Sequence, residues 1–297
     1  MKIVVTGSLG HIGKPLTQEL VKAGHEVTVI SRDLEKKKDI EALGAKPAIG
    51  AVEDVDFLAA TFTGADAVYA MIVPGSFFDP AYDLIVHVKQ IANNYAKAIK
   101  QSGVKQVVHL SSIGAHMEKN NGILLFHYHA EQIFKALPAD FIVKTVRPVA
   151  FYYNLLAFIP TIQHTGNIVS NYGAEDMIAW VSPKDIAVVV AEEITMPFVN
   201  RSMRYIASDE PSCQQIASIL GTSIGKPDLK WNVLPNEQME SILLGVGMNA
   251  NIAKGIVEMN AAMHTGELFE DYHRHKPVLG KVKIDDYAKD FAAAFNQ

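Results

Sequence analysis

The sequence has 297 residues, of which 49% are hydrophobic and 20% are charged, so it can form one large domain or one domain with a smaller lobe. The formal net charge of −5 excludes a basic surface for nucleic acid or anionic lipid, and the single cysteine, Cys213, excludes an internal disulfide bond. Because no apolar run is long enough to cross a membrane and the first residues lack a secretory signal, we expect a cytoplasmic protein.

Short β-branched runs alternate with longer helical patterns in the first half of the chain. The strand-like runs lie at residues 3–5, 27–30, 67–73, 107–110 and 141–143, with a weaker one near 47–49. Runs that are apolar throughout are typical of parallel strands covered by helices on both faces. We therefore predict an α/β fold with a Rossmann-type, doubly wound parallel sheet.

A glycine-rich loop directly follows the first predicted strand and precedes a helical pattern at residues 14–23. Its spacing is Gly-x-x-Gly-x-x-Gly. In dinucleotide-binding folds the three glycines allow a tight turn, close approach of the backbone to a pyrophosphate, and close packing of helix against strand. The following helix directs free N–H groups and the positive end of its dipole at the phosphates. We therefore predict a dinucleotide held by the loop residues Gly7, Ser8, Leu9, Gly10, His11 and Ile12.

The residues after the second predicted strand indicate which dinucleotide binds. NAD-specific sites usually place an acidic side chain there, about 20 residues after the loop, to hold the ribose 2′-hydroxyl. This chain has Ser31 and Arg32 instead, and a guanidinium pairs with a 2′-phosphate through charge-assisted hydrogen bonds. Asp33 is interpreted as the cap of the next helix. We therefore predict NADP(H) as the cofactor, with Arg32 as the ligand of its 2′-phosphate.

The alternation of strand and helix patterns loosens after Arg147, and from about Pro211 onward the patterns are mostly helical. Trp180 ends a strand-like segment, a capped helix begins at Pro183, and residues 204–206 predict one more strand. We therefore predict an NADP-binding Rossmann domain over residues 1–150, continued by about 177–207. A smaller, mainly helical lobe is expected to comprise residues 208–297 plus about 151–176, and to bind substrate or a partner.

Several segments resemble the NmrA-like group of atypical short-chain dehydrogenases and reductases. They are TGSLGHIG at residues 6–13, VVHLSSIG at 107–114, HYHAEQ at 127–132, VRP at 146–148 followed by FYYN at 151–154, and DDYAKDF at 285–291. The resemblance covers nearly the whole chain and implies a Rossmann fold and an NADP(H) cofactor. The group includes NADPH-dependent quinone reductases, plant phenylpropanoid reductases and NADP-binding regulators without catalytic activity.

Further cofactor contacts are predicted from the strand ends, because ligands in open α/β sheets bind beyond the carboxyl ends of the strands. Ser111 can equally be a cap or a turn residue. Aromatic residues at Phe77, Phe78 and 151–153 predict either a pocket for a flat quinone or plain packing between lobes. The residues expected around the nicotinamide are Ile72, Val73, Ser111, Pro148, Val149, Phe151 and Tyr152.

The usual catalytic pair of short-chain reductases is missing from its expected place. Those enzymes carry Tyr-x-x-x-Lys on the helix after the fifth strand, where the lysine lowers the pKa of the tyrosine. Here Tyr128 is followed by Gln132 at that spacing. The chain's one Tyr-x-x-x-Lys, at Tyr272 and Lys276, lies in the C-terminal lobe and is interpreted as a coincidence.

The same helix carries His127 and Glu131, four residues apart. A carboxylate beside an imidazole would fix its tautomer and raise its pKa, which would provide a proton donor close to a nicotinamide. We predict that both residues serve the catalytic site, either in proton transfer or in orienting nicotinamide or substrate; the alternative is an incidental surface pair. His129 lies two residues from His127 and faces another way, so we predict no metal site.

We predict an NADPH-dependent oxidoreductase that reduces a quinone or a related carbonyl or enone, with a small molecule as its substrate partner. Two alternatives stay open. A non-catalytic NADP(H)-sensing regulator would act on a protein partner and would not need the Tyr–Lys pair. A sugar-nucleotide epimerase ranks lowest, because the base that it requires is absent.

Overall fold

The computed structural model describes all 297 residues, and its largest element is a parallel sheet of seven strands. In this sheet the order is β3-β2-β1-β4-β5-β6-β10, and every neighbouring pair is parallel. The order reverses between β1 and β4, which places the crevice for a ligand beyond their carboxyl ends. The strands are β1 (Lys2–Val5), β2 (Glu26–Ser31), β3 (Lys46–Ile49), β4 (Ala67–Ala70), β5 (Gln106–Leu110), β6 (Ile142–Pro148), β7 (Ala150–Phe151), β8 (Ile168–Ser170), β9 (Trp180–Val181), β10 (Ser202–Ile206) and β11 (Trp231–Val233).

Helices cover both faces of the main sheet. The first, second and seventh pack on one face, and the third, fourth and fifth pack on the other. None of the helices combines the length and the apolar character that a membrane span requires. The helices are α1 (Gly13–Lys22), α2 (Lys36–Ala42), α3 (Val55–Phe62), α4 (Leu84–Ser102), α5 (Leu125–Lys135), α6 (Ile159–Thr165), α7 (Pro183–Thr195), α8 (Cys213–Ser223), α9 (Asn236–Gly245), α10 (Ala250–His264), α11 (Glu270–Arg274) and α12 (Ile284–Phe295), with short 3-10 helices at Gly122–Leu124, Tyr152–Phe158 and Glu267–Phe269.

Alternate residues of the strands supply two apolar cores, one on each face of the sheet. Ile3 and Val5 pack towards α1 and α7, whereas Val4 and Val68 pack towards α3, α4 and α5. Because both faces are covered, the strands carry apolar residues at consecutive positions rather than at alternate ones. The predicted Rossmann-type, doubly wound fold is confirmed.

The fourth strand is shorter than its apolar run. Residues 67–73 were all expected in the strand, but β4 pairs only as far as Ala70. The chain then leaves the sheet at its carboxyl end and continues as a loop to Asp83, whose carboxylate caps α4 by accepting a hydrogen bond from the N–H of Val86 at 3.0 Å. This loop forms one wall of the ligand crevice.

The second half of the chain returns once to the main sheet. β10 pairs in parallel with β6 at the sheet edge, and the remaining C-terminal chain is mainly helical, with two small parallel pairs, β7 with β9 and β8 with β11. One apolar core runs from Val5 through Trp180 to Phe291 without interruption. The division into a Rossmann domain and a lobe therefore stays a prediction.

Candidate functional site

The glycine loop joins β1 to α1 and is tightly packed at both ends. Gly7 has a φ of 87°, and a Cβ there would lie 2.2 Å from Sδ of Met71. At Gly13 a Cβ would lie 2.1 Å from the carbonyl oxygen of Ser8. At the exposed Gly10, by contrast, a Cβ would meet only the carbonyl oxygen of Gly7, at 3.4 Å. Gly7 and Gly13 are thus required by the loop itself, whereas Gly10 leaves the backbone open to a ligand.

The start of α1 has the properties of an anion site. The helix has no side-chain cap and no acidic residue in its first turn. The N–H groups of Leu9, His11 and Ile12 have no acceptor within the chain. Free N–H groups at the positive end of a helix dipole bind phosphate, so these residues fit the pyrophosphate of a dinucleotide.

A cleft of about 300 Å³ extends from the glycine loop across the carboxyl ends of β2, β3 and β4. Ser8 and Ser31 join the loop to the end of β2 through a hydrogen bond of 3.0 Å between their hydroxyls. The cleft lies where the strand order predicted a ligand crevice. Its side-chain lining includes Ser8, Ser31, Arg32, Glu53, Met71, Val73, His87 and Tyr95.

Arg32 lies at this cleft, but it has a partner that we did not predict. Its Nη2 donates to Oε1 of Glu53 at 2.5 Å, and the two side chains are 70% and 38% exposed. Burial opposes ionisation of Glu53, but the hydrogen bond and charge of Arg32 outweigh it and lower the pKa of Glu53. Glu53 follows β3, the weakest strand pattern in the sequence. Applying the strand-end rule to β3 as well would have identified it.

The segment after β4 presents alternate residues to the cleft. Met71 and Val73 line the cleft, and Val73 is 56% exposed, whereas Ile72 is buried in the core against α4. The OH of Tyr95 donates to the carbonyl oxygen of Met71 at 3.0 Å and fixes this segment. The prediction that Ile72 lines the cofactor site was therefore wrong for its side chain, because the residues keep the two-residue alternation of a strand.

Glu131 is part of a buried ion pair and does not contact His127. Its carboxylate accepts two hydrogen bonds from Arg147, each 2.8 Å long, and one of 2.7 Å from the hydroxyl of Ser111. Burial opposes ionisation of Glu131, but the hydrogen bonds and charge of Arg147 lower its pKa to about 2. These hydrogen bonds use the Glu131 carboxylate and the Ser111 hydroxyl within the protein. They correct the predicted catalytic role of Glu131 and the predicted cofactor contact of the Ser111 hydroxyl.

Arg147 also connects the sheet to the C-terminal helices. Its Nη1 donates to Oδ2 of Asp271 on α11 at 3.1 Å, and the OH of Tyr205 on β10 donates to the same oxygen at 2.7 Å. Four side chains, from α5, β6, β10 and α11, thus form one network of hydrogen bonds and ion pairs. The arginine of the Val-Arg-Pro segment at residues 146–148 therefore has a structural role.

His127 is half-buried and has no hydrogen-bonding partner in the protein; its ring lies 3.9 Å from that of Phe126. Burial and the nearby His109 lower the pKa of His127 to about 3, although Glu131 acts in the opposite direction. The expected rise in pKa was wrong, and a neutral imidazole is no proton donor at pH 7. A role in orienting a ligand stays a prediction.

Neither Tyr128 nor Tyr272 is activated as a catalytic base. The OH of Tyr128 donates to Glu118 at 3.0 Å, and this carboxylate raises the pKa of Tyr128. Tyr272 and Lys276 both bind Glu210, at 2.7 and 2.8 Å, and burial raises the pKa of Tyr272. Separately, no group of three or more His, Cys, Asp or Glu side chains is placed to bind a metal ion.

An aromatic stack stands beside the glycine loop. Tyr153 lies 4.5 Å from the ring of His11 and 5.0 Å from that of Phe151, with both pairs stacked. Tyr152 faces the other way, buried between Tyr287 and Trp180. Phe151 thus reaches the loop only through Tyr153, and its cofactor contact stays a prediction, whereas the buried position of the Tyr152 side chain corrects the prediction for Tyr152.

Pro148 and Val149 are buried at the end of β6, where their backbone pairs with neighbouring segments. The carbonyl oxygen of Pro148 accepts from the N–H of Ile113 at 2.9 Å, and the N–H of Val149 donates to the carbonyl oxygen of Ile206 at 3.1 Å. Neither residue lines the cleft of about 300 Å³. Their predicted contact with the nicotinamide stays a prediction.

Comparison with known proteins gives relatives over the full length. An NAD(P)H azoreductase of Xenophilus azovorans is 25% identical over 296 residues, which is 99% of each chain. Among solved structures, an NADPH-dependent quinone oxidoreductase of Escherichia coli in complex with NADPH matches with a TM-score of 0.80 and 19% identity, over 97% of this chain and 99% of that one. The triphenylmethane reductase of Citrobacter sp. matches with a TM-score of 0.75 and 19% identity over the whole of both chains.

The two solved structures share the fold of this chain. Because their sequence identity is low, they show the fold alone. The family is shown by a different finding. Residues 1–290 match the model of the NmrA-like family, which is nearly the whole chain. The segments quoted above, from the glycine loop to DDYAKDF at residues 285–291, all lie inside this range or end just beyond it. This chain belongs to the NmrA-like family.

Proposed function

We propose that this protein is an NADPH-dependent oxidoreductase that reduces a quinone or a similar flat, electron-poor compound. The observation that carries the proposal is the cleft at the switch point of the sheet, where the free N–H groups of the glycine loop and the guanidinium of Arg32 would hold the phosphates of NADP(H). The similar proteins with named activities, an azoreductase, a quinone oxidoreductase and a triphenylmethane reductase, support reduction with NAD(P)H.

The surroundings of the loop support a flat, apolar substrate. His11, Tyr153 and Phe151 form a continuous stack, and Val73 and Phe78 on the loop after β4 are more than half exposed. Aromatic rings stack well on planar conjugated molecules. In this proposal the C-terminal lobe closes the substrate side of the cleft, and a small molecule is the main partner.

NADPH, when bound, supplies a hydride. A quinone that accepts the hydride becomes a phenolate-like oxyanion, and one proton from the surroundings completes the hydroquinone. The neutral His127 and the unactivated Tyr128 supply no acid or base at pH 7, so the proton is proposed to come from water. The chain's own residues then act by binding and orienting the reactants. Sugar epimerisation is disfavoured because it needs the base that is missing here.

Steady-state oxidation of NADPH with a panel of quinones and azo compounds tests the proposal. We expect oxidation that depends on the acceptor and saturates with it. Tight binding of NADPH without turnover on any acceptor would contradict the enzyme assignment and favour a regulator that senses NADP(H). The buried, lone Cys213 and the need for reduced cofactor support a cytoplasmic location in either case.

A further inference from the structure

Glu53 is an acidic residue at the place where the cleft would receive the adenosine end of the cofactor. It follows β3, and Arg32 follows the neighbouring strand β2, so the two side chains meet beyond the carboxyl ends of adjacent strands. Both residues line the cleft, together with Ser8 and Gly7 of the glycine loop. The carboxylate therefore occupies the same part of the cleft as the guanidinium predicted to bind a 2′-phosphate.

The position of Glu53 is fixed by its backbone. The buried side-chain amide of Asn94 on α4 donates to the carbonyl oxygens of Val52 and Glu53, at 3.4 and 3.1 Å. The next residue, Asp54, caps α3 by accepting from the N–H of Phe57 at 3.0 Å. The backbone of Glu53 is therefore fixed in the cleft wall, whereas its partly exposed side chain can exchange Arg32 for another hydrogen-bonding partner.

We propose that Glu53 is a specificity-determining residue that opposes Arg32 and allows the cleft to accept NADH as well as NADPH. The inference rests on the proposed function. In NAD-specific sites the carboxylate that accepts a hydrogen bond from the ribose 2′-hydroxyl follows the second strand. Glu53 follows β3, but its carboxylate lies 2.5 Å from the guanidinium of Arg32 after β2 and so reaches the same place. The 2′-phosphate of NADPH instead requires Arg32 to leave Glu53, and the negative charge of Glu53 repels it. Arg32 thus favours NADPH, and Glu53 favours NADH.

The same two strands provide a matched control at their opposite ends. Lys46 on β3 binds Glu26 on β2 at 3.2 Å, and both side chains are exposed. This pair lies at the amino ends of the strands, away from the cleft. Exposed ion pairs of either kind contribute little to folding stability, so variants of both pairs are expected to fold.

The test is isothermal titration of wild type, Glu53→Gln and Glu26→Gln with NADPH, NADH, 2′,5′-ADP and 5′-AMP. For Glu53→Gln we expect the Kd of NADPH and 2′,5′-ADP to fall about threefold to tenfold and the Kd of NADH to rise about threefold. Glu26→Gln is expected to leave each Kd within about twofold of wild type. Glu53→Ala, with its melting temperature recorded, serves as the second variant and is expected to shift both affinities in the same directions.

An unchanged ratio of the NADPH and NADH affinities in both Glu53 variants would overturn the role of Glu53 and leave the proposed function standing. Failure of the wild-type protein to bind either dinucleotide would instead overturn the proposed function itself. The two fragments provide a readout that does not depend on turnover, since they carry the 2′-phosphate or lack it but contain no nicotinamide.

Discussion

Arg32 is exposed and forms an ion pair with Glu53, so its replacement tests the cofactor assignment without disturbing the core. Arg32→Ala removes the charge that would pair with the 2′-phosphate. We expect the Kd of NADPH to rise by at least about tenfold and that of NADH to change much less, because NADH has no 2′-phosphate. Fluorescence titration measures both affinities. Equal losses for the two cofactors would refute the assignment, and Lys46→Ala is the matched surface control.

Glu131 tests the buried ion pair. Glu131→Gln leaves the guanidinium of Arg147 buried beside a neutral amide, with Asp271 as its remaining ionised partner. Removing one member of a buried pair costs about 3–5 kcal/mol, and we expect the free energy of unfolding to fall by about 3 kcal/mol. Urea titration measures it. Glu192→Gln breaks an exposed pair with Arg204 and is expected to cost less than about 1 kcal/mol. Equal stability of the two variants would contradict the structural role of Glu131.

Strand ends and glycine spacing determine backbone position, and they bring Gly7, Ser8 and Arg32 to one cleft, while Leu9, Gly10 and His11 line a second depression. Their contacts with the cofactor stay a prediction. Spacing failed for the pair at His127 and Glu131. A spacing of four residues puts two side chains on one side of a helix, but it does not say what the rest of the fold packs against them. Here Arg147, distant in sequence, takes the carboxylate.

Among the structural elements, the glycine loop provides the most specific test of dinucleotide binding. At Gly10 a Cβ has room, since its nearest neighbour would be 3.4 Å away, and the backbone φ lies outside the left-handed region. Gly10→Ala should therefore fold normally, but its methyl group would stand where the backbone meets the pyrophosphate. We expect the Kd of both NADPH and NADH to rise by at least about tenfold with little change in melting temperature.

The control for the loop is Gly245→Ala at the end of α9, where a Cβ has no neighbour within 4 Å. It is expected to leave both affinities unchanged. Wild-type affinities in Gly10→Ala would show that the pyrophosphate does not approach the loop at this residue.

The strands show why some elements can be predicted and others only in part. β1, β2 and β5 carry apolar residues at consecutive positions, such as Ile3 to Val5 and Val107 to Val108, because helices cover both faces. The prediction for the sixth strand stopped at residue 143, whereas β6 continues to Pro148. Lys144 and Arg147 interrupt the apolar pattern, yet both are buried with partners: Lys144 donates to the carbonyl oxygen of Glu193 at 2.7 Å. Buried charges with partners from distant elements are not visible in local patterns.

At the scale of the whole molecule, stability should depend on pH through groups whose pKa is lowered by folding; besides His127, two of them are the fully buried His109 and Glu131. Burial lowers the pKa of His109 to about 4, and the pKa of Glu131 is lowered to about 2. Between about pH 6.5 and pH 4, His109 is protonated in the unfolded chain but stays neutral in the folded protein. Between about pH 4.3 and pH 2, Glu131 is likewise protonated in the unfolded chain but stays ionised in the folded protein. Both groups therefore make stability fall as the pH falls.

His109→Phe isolates the first group. His109 lies against Phe134, and neither of its ring nitrogens has a hydrogen-bonding partner, so a phenyl ring is a compatible replacement. We expect the variant to lose less stability than wild type between pH 7 and 5, by roughly 1–2 kcal/mol in urea unfolding. Parallel stability curves for the two proteins would show that His109 is not the group responsible.

The molecule as a whole is held together across the boundary that the sequence suggested near residue 150. Arg147 of β6 binds Asp271 of α11, and Asn249 at the start of α10 donates to carbonyl oxygens of the loop after β4, including that of Asp79 at 2.9 Å. The loop after β4 therefore borders the cleft with Val73 and contacts the start of α10 with Asp79. We expect substrate contacts from the C-terminal chain to influence the cofactor, and the reverse.

A single-turnover experiment can test the claim that the cleft binds NADPH and delivers its hydride to a quinone. Wild-type protein, a stoichiometric amount of NADPH and an excess of quinone are mixed without oxygen, and both NADPH and hydroquinone are measured. We predict loss of one NADPH for each hydroquinone formed, at a rate that depends on the protein. NADPH that is bound, as shown by its fluorescence, but not consumed would contradict the claim.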